Sequence, residues 1–132
     1  MESANNKNKQ APDSHNKNKN AVLDTSALVA LFCDPKSEAE ALEILESSCV
    51  SALSLAELLT QLDEAGGDLR LLLAELKKLD LDVRPFDEEQ ALLAAQLLLT
   101  EQGRGRSLTE RAALALSLST GLRLQAHEPH AY

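Results

Sequence analysis

Short apolar runs along this chain alternate with longer segments whose apolar residues recur every three to four positions. These are the two periods expected of buried strands and of helices. Ala21-Val22-Leu23-Asp24 predicts a buried strand, and Thr25-Ser26 offers caps for a helix through Phe32. Asp34-Pro35 breaks the chain, and Ser37 opens a second helix with Ala39, Leu42 and Leu45 at helical spacing. Cys49-Val50-Ser51 predicts a second strand. Ser54 then opens a third helix, with Leu55, Leu58, Leu59 and Leu62 on one stripe. Gly66-Gly67 ends it, and Asp68 caps a fourth helix reaching to about residue 78. Residues 81–84 predict a third strand, stopped by Pro85, and Asp87 caps a fifth helix reaching to about residue 101. After a Gly-Arg loop at 103–106, Ser107 opens a sixth helix that Thr120-Gly121 closes, and residues 122–125 predict a fourth strand.

Strands that alternate with helices imply an α/β domain with a parallel sheet covered on both faces. A pure helix bundle conflicts with the strand signals at 21–24 and 81–84. Composition adds detail. Hydrophobic residues make up 44% of the 132 residues but aromatic ones only 2%, so the core must be built from Leu, Ala, Val and Ile. The Leu-rich faces at 69–76 and 92–99 read mostly as core, and any excess suits a homodimer or a partner helix. Residues 1–20 are Asn- and Lys-rich with almost no apolar content, which predicts a disordered polar tail before a domain at 21–132. Four lysines against Glu2 and Asp13 give that tail a net +2, so the rest of the chain carries −10 of the total −8. That is the wrong sign for binding phosphate unless acids converge on a cation. Cys33 and Cys49 form no CxxC pair and read as small core residues in a reducing, cytoplasmic compartment. No run of about 18 apolar residues offers a membrane span.

In open parallel sheets, sites form at the carboxyl ends of strands, where the strand order reverses. Asp24 ends the first predicted strand, Glu57 and Glu110 each lie one turn into a predicted helix, and His127 and Glu128 follow the last strand. Hard cations such as Mg²⁺ or Mn²⁺ take carboxylate oxygens. A pair of such ions can activate water and stabilise the leaving oxygen of a phosphodiester.

The stretches VLDTSALVALF, VSALSLAELL, VRPFDEEQALLAAQL and SLTERAALALSLSTGLRLQAH resemble, in order and spacing, the PIN-domain family and are most similar to its VapC-like toxins. The resemblance spans about residues 21–131. It implies a three-layer α/β/α fold with a short central parallel sheet of about four strands. It also implies an Mg²⁺- or Mn²⁺-dependent endoribonuclease, the toxin of a toxin–antitoxin pair, with an antitoxin protein and RNA as partners. On this match Asp24 is the first acid, Glu57 the second and Glu110 the third, where the family usually has Asp. At the fourth acidic place stands His127, with Glu128 one residue late. Asp24, Glu57, Glu110 and Glu128 are the implied metal ligands, and Thr25, Ser26 and Arg111 the implied substrate contacts. The family continues into a last edge strand beyond the point where this chain ends.

Plainer roles exist for the same residues. Asp24 serves equally as a helix cap. Glu57 with Ser54 and Glu110 with Ser107 complete the Ser-x-x-Glu capping box, as Glu40 does with Ser37. His127 and His130 lack a third ligand for a transition metal. Arg104, Arg106 and Arg111 suit RNA phosphate, or simply an exposed loop. Two functions follow: the endoribonuclease, or a catalytically impaired PIN-like scaffold that binds protein or RNA.

Overall fold

Strand β1 (Ala21–Leu23) is buried along its whole length because it lies at the centre of the sheet with helices on both faces. The computed structural model describes residues 19–33 and 37–127. The Asp34-Pro35 break, Glu128, His130 and most of the polar stretch at 1–20 lie outside these residues. Lys19 and Asn20, the last residues of that stretch, are bonded to the domain. Asn20 donates its amide to Ser47 O, and Lys19 Nζ donates to Glu46 O at 2.9 Å and lies 3.7 Å from Asp82.

The element order is β1, α1 (Thr25–Cys33), α2 (Glu38–Glu46), β2 (Ser48–Ser51), α3 (Ala52–Glu64), α4 (Leu69–Lys78), β3 (Asp82–Arg84), α5 (Glu88–Gln96), a 3₁₀ turn (Leu97–Leu99), α6 (Leu108–Thr120) and β4 (Arg123–Gln125). All pairings are parallel, in the order β3-β2-β1-β4. Val22 pairs in register with Cys49 on one side and Leu124 on the other. The chain thus steps outward from β1 through β2 to β3, then returns across β1 to lay down β4. The strand order reverses beside β1, and its carboxyl end opens on that switch point.

Alternation along β1 divides the core. Leu23 packs with Ala27, Leu28, Leu45, Val50 and Leu58 on one face. Val22 packs with Cys49, Ala113 and Leu116 on the other. Helix α6 is buried without a break from Ala112 to Leu116, and the small alanines let it lie close between the sheet and α5. The predicted three-layer α/β/α architecture, with four short parallel strands, is the one observed.

Three helix expectations change. Helix α3 starts earlier than predicted: its cap is Ser51, which accepts from Leu53 N at 3.2 Å. Ser54 therefore lies inside the helix, fully buried, and forms no capping box with Glu57. Helix α5 ends at Gln96 and tightens into the 3₁₀ turn instead of continuing to residue 101. Helix α4 buries none of its residues, and Leu69, Leu71 and Leu73 are exposed rather than core, as are Leu92, Leu98 and Leu99. Among the described residues no helix is long and apolar enough to cross a membrane.

Candidate acidic active-site cleft

Asp24 follows β1 directly and is only 5% exposed. Its amide donates to Gln125 O of β4 at 3.1 Å, so the residue is pinned across the switch point. Its carboxylate caps α1: Oδ1 accepts from Ala27 N at 2.9 Å and from Ser26 Oγ at 2.7 Å. Ser26 Oγ in turn accepts the His127 amide at 3.0 Å. One hydroxyl therefore ties the segment after β4 to the carboxylate after β1. The cap reading and the site position of Asp24 coexist, because the cap orients the carboxylate toward a cleft.

That cleft has a volume of about 640 Å³. Asp24, Thr25 and Ser26 form its floor with Val29, Ala30 and Cys33 of α1; Glu57 and Gln61 come from α3; Ser107, Thr109 and Glu110 from the start of α6; and His127 from beyond β4. Four separate segments thus bring together Asp24, Glu57, Glu110 and His127, which the sequence spreads over a hundred positions.

Each acid is also held locally. Glu57 Oε2 accepts from Gln61 Nε2 at 2.9 Å, one helical turn on. Glu110 Oε1 accepts the Ser107 amide at 2.8 Å, while Ser107 Oγ accepts the Glu110 amide, so this capping box is complete. Among the described residues no three His, Cys, Asp or Glu side chains stand close enough to share one cation. The three acids nonetheless offer hard oxygens, and the Thr25 hydroxyl at the cleft floor is buried without a hydrogen-bond partner among the described residues. Donor type fits a divalent cation; the separation means that Glu57 and Glu110 must turn inward to meet one.

Two expectations are corrected by placement. Arg111 does not line the cleft: Nη1 donates to Ala94 O of α5 at 2.8 Å and Nε to Arg106 O at 3.4 Å. Cys33 is not a core residue but an exposed thiol on the cleft wall, whereas Cys49 is buried. Burial pushes the Cys49 thiol up from its ordinary value. Sequence reasoning passed over Gln61 and Thr109. Gln61 was recoverable from its i+4 spacing to Glu57; Thr109 carries no such signal.

With fold and cleft in view, the chain belongs to the PIN domain family, whose model matches residues 21–124. No curated protein sequence matches it. Among solved structures it is similar to VapC20 of Mycobacterium tuberculosis, a sarcin–ricin loop cleaving toxin, at 18% identity and a TM-score of 0.65, over 84% of this chain and 92% of that one. It is also similar to a DNA-bound VapBC complex from Salmonella typhimurium, at 16% identity and a TM-score of 0.61, over 82% and 98% of the two chains. A third likeness is to FitAcB from Neisseria gonorrhoeae, at 20% identity and a TM-score of 0.59, over 84% and 89%. At such identities the likeness is one of fold.

Proposed function

We propose that this chain is a divalent-metal-dependent endoribonuclease and the toxin of a toxin–antitoxin pair. The observation that carries the reading is the cleft at the sheet's switch point, walled by Asp24, Glu57 and Glu110 from three separate elements. Asp24 is the anchor of the site, since Ser26 Oγ and Ala27 N fix its carboxylate before any ligand arrives. Glu57 and Glu110 would complete the ligand set through their remaining oxygens, with Glu128 as a further ligand from outside the described residues. Mg²⁺ or Mn²⁺ on these oxygens would supply the positive charge that a phosphodiester requires in an acidic cleft. Thr25 and Ser26 would orient the substrate's phosphate or an attacking water by their hydroxyls.

An antitoxin helix has a candidate seat. The exposed Leu69, Leu71 and Leu73 of α4 lie on a helix whose other leucines, Leu72 and Leu76, line a groove of about 250 Å³ with Leu59 and Leu62 of α3. The likeness in fold to a toxin–antitoxin complex from Klebsiella pneumoniae supports that partner. The exposed Leu92, Leu98 and Leu99 suit a homodimer contact. The alternative reading, a scaffold without chemistry, draws support from the separated acids and from the capping role of Glu110.

Incubating the full chain with structured RNA in Mn²⁺, Mg²⁺ or EDTA, beside Asp24→Asn, separates the two. Cleavage that needs the cation and is lost in Asp24→Asn supports the nuclease. Cleavage indifferent to both chelator and substitution sinks it.

A further inference from the structure

We propose that Arg104 is a phosphate anchor for a single RNA strand lying across the acidic cleft, held by a turn built for that purpose. The inference rests on the nuclease reading above and says how its substrate is gripped. An acidic cleft in an acidic chain cannot hold a polyanion by itself, so an anchor must stand outside it.

The 100–106 turn is internally braced. Thr100 Oγ1 donates to Leu97 O at 2.7 Å and accepts the Gly103 amide at 3.0 Å. Arg104 N donates to Thr100 O at 3.0 Å and Arg106 N to Gly103 O at 3.2 Å. Gly103 lies flat on the 3₁₀ turn, where a Cβ would come within 2.2 Å of Leu97 O. Arg111 bonds Arg106 O from α6 and Ala94 O from α5, clamping the turn between two helices.

This bracing leaves Arg104 exposed, and no hydrogen bond or ion pair among the described residues holds its guanidinium. It faces a concavity of about 510 Å³ shared with Glu101, Gln102, Gly105 and Arg106. Its position matters most. Ser107 follows Arg106 directly, and Ser107, Thr109 and Glu110 wall the cleft. Three residues span at most about 10 Å. A strand whose scissile phosphate sits among the acids therefore passes its neighbouring phosphates within reach of a long, forked guanidinium. That group binds phosphate oxygens in pairs. Glu101 on the same turn is the opposing charge, and it disfavours acidic protein segments as much as RNA; only RNA also has a reason to enter the cleft.

The test is binding, not cleavage. The affinity of the full chain for a fluorescein-labelled single-stranded RNA of about 12 nucleotides is measured by anisotropy in EDTA over a salt series. Arg104→Ala should lower affinity several-fold at low salt and make the slope of log K against log salt shallower by about 0.7, one phosphate contact on a single strand. Arg104→Lys should keep the slope and lose part of the affinity. Arg70→Ala, exposed on α4, removes the same charge and should leave the slope unchanged. An unchanged slope for Arg104→Ala, an equal change for Arg70→Ala, or no RNA binding by the parent chain at low salt overturns the proposal. Cleavage by the parent with an unchanged Arg104→Ala slope defeats the anchor alone. The expected slope change without any cation-dependent cleavage defeats the nuclease reading alone.

Discussion

Ser26 donates its hydroxyl proton to Asp24 Oδ1 across 2.7 Å. The Ser26 hydroxyl oxygen itself accepts the His127 amide, so removing it cuts a side-chain hydrogen bond between α1 and the segment after β4. Ser26→Ala should cost about 1 kcal/mol, the net worth of a typical hydrogen bond, because water can reach the exposed His127 amide. In urea the midpoint should fall with the slope unchanged. Cleavage should fall further than stability does, since the Asp24 carboxylate keeps only the Ala27 amide of its two described partners on Oδ1. An unaltered midpoint would show that the hydroxyl does not brace the switch point.

Glu57 and Glu110 should part company when neutralised. Glu57 caps no helix; its described bond is to Gln61 on an exposed face. Glu57→Gln should leave stability within about 0.5 kcal/mol while lowering cation-dependent cleavage at least tenfold. Glu110 closes a complete capping box, so Glu110→Ala should cost about 1 kcal/mol. Glu110→Gln keeps the box and should restore the melting temperature without restoring cleavage. If Glu110→Gln cleaves like the parent, the third acid is structural only.

How these acids compare in the sequence explains what was readable there. Ser54-x-x-Glu57 and Ser107-x-x-Glu110 look alike, yet only the second is a capping box. Ser51 and Ser54 both qualify as caps by residue type; burial of Ser54 beneath the helix, a tertiary outcome, decides for Ser51. The parallel sheet and the strand-end place of Asp24 were legible because short apolar runs have one dominant reading between helices. The strand order, the exposure of Cys33 and the inward turn of Arg111 were not, since each depends on which helix the chain meets across space. The exposed leucines of α4 show the same limit: helical spacing marks an apolar stripe, not what covers it.

The two thiols should differ in kind. Cys33 is exposed on the cleft wall and Cys49 is fully buried in β2. A thiol reagent should titrate one thiol promptly and the second only as the chain unfolds. Burial is the main cause that raises the Cys49 pKa; Arg84 and Lys19 oppose it, and Asp82 adds to it. A raised folded pKa means the fold favours the neutral thiol. Its contribution is complete below the unfolded thiol pKa of about 8.5 and is lost as pH rises above that value toward the folded one. Urea midpoints should therefore decline above that pH more steeply for the parent than for Cys49→Ala. Equal declines would mean that the thiol does not titrate with unfolding.

Gly103 and Gly105 should fail for different reasons. Gly105 holds φ +84 with open space around its missing Cβ, so Gly105→Ala pays only for the left-handed backbone, about 1 kcal/mol. Gly103→Ala drives a methyl into the Leu97 backbone, where nothing flexible can yield. The 3₁₀ turn must then shift, at a cost of about 2 kcal/mol or more. Melting temperatures should rank the parent first, Gly105→Ala second and Gly103→Ala last. The reverse order would mean that the turn is loose.

Arg111 should prove to be a strut. Its guanidinium joins α5 to α6 through Ala94 O and reaches the loop through Arg106 O, so its donors are engaged within the fold. Lysine has one nitrogen on a flexible stem and cannot serve two carbonyls in that fixed fork. Arg111→Lys should therefore lose about 1 kcal/mol although the charge is kept, and Arg111→Ala somewhat more. Both should leave the salt dependence of RNA binding close to that of the parent once the protein is fully folded. A substrate contact would behave in the opposite way: Arg111→Lys would fold normally and bind nearly as well, while Arg111→Ala would shift the salt slope. Urea denaturation and RNA binding on the same two variants decide between these patterns.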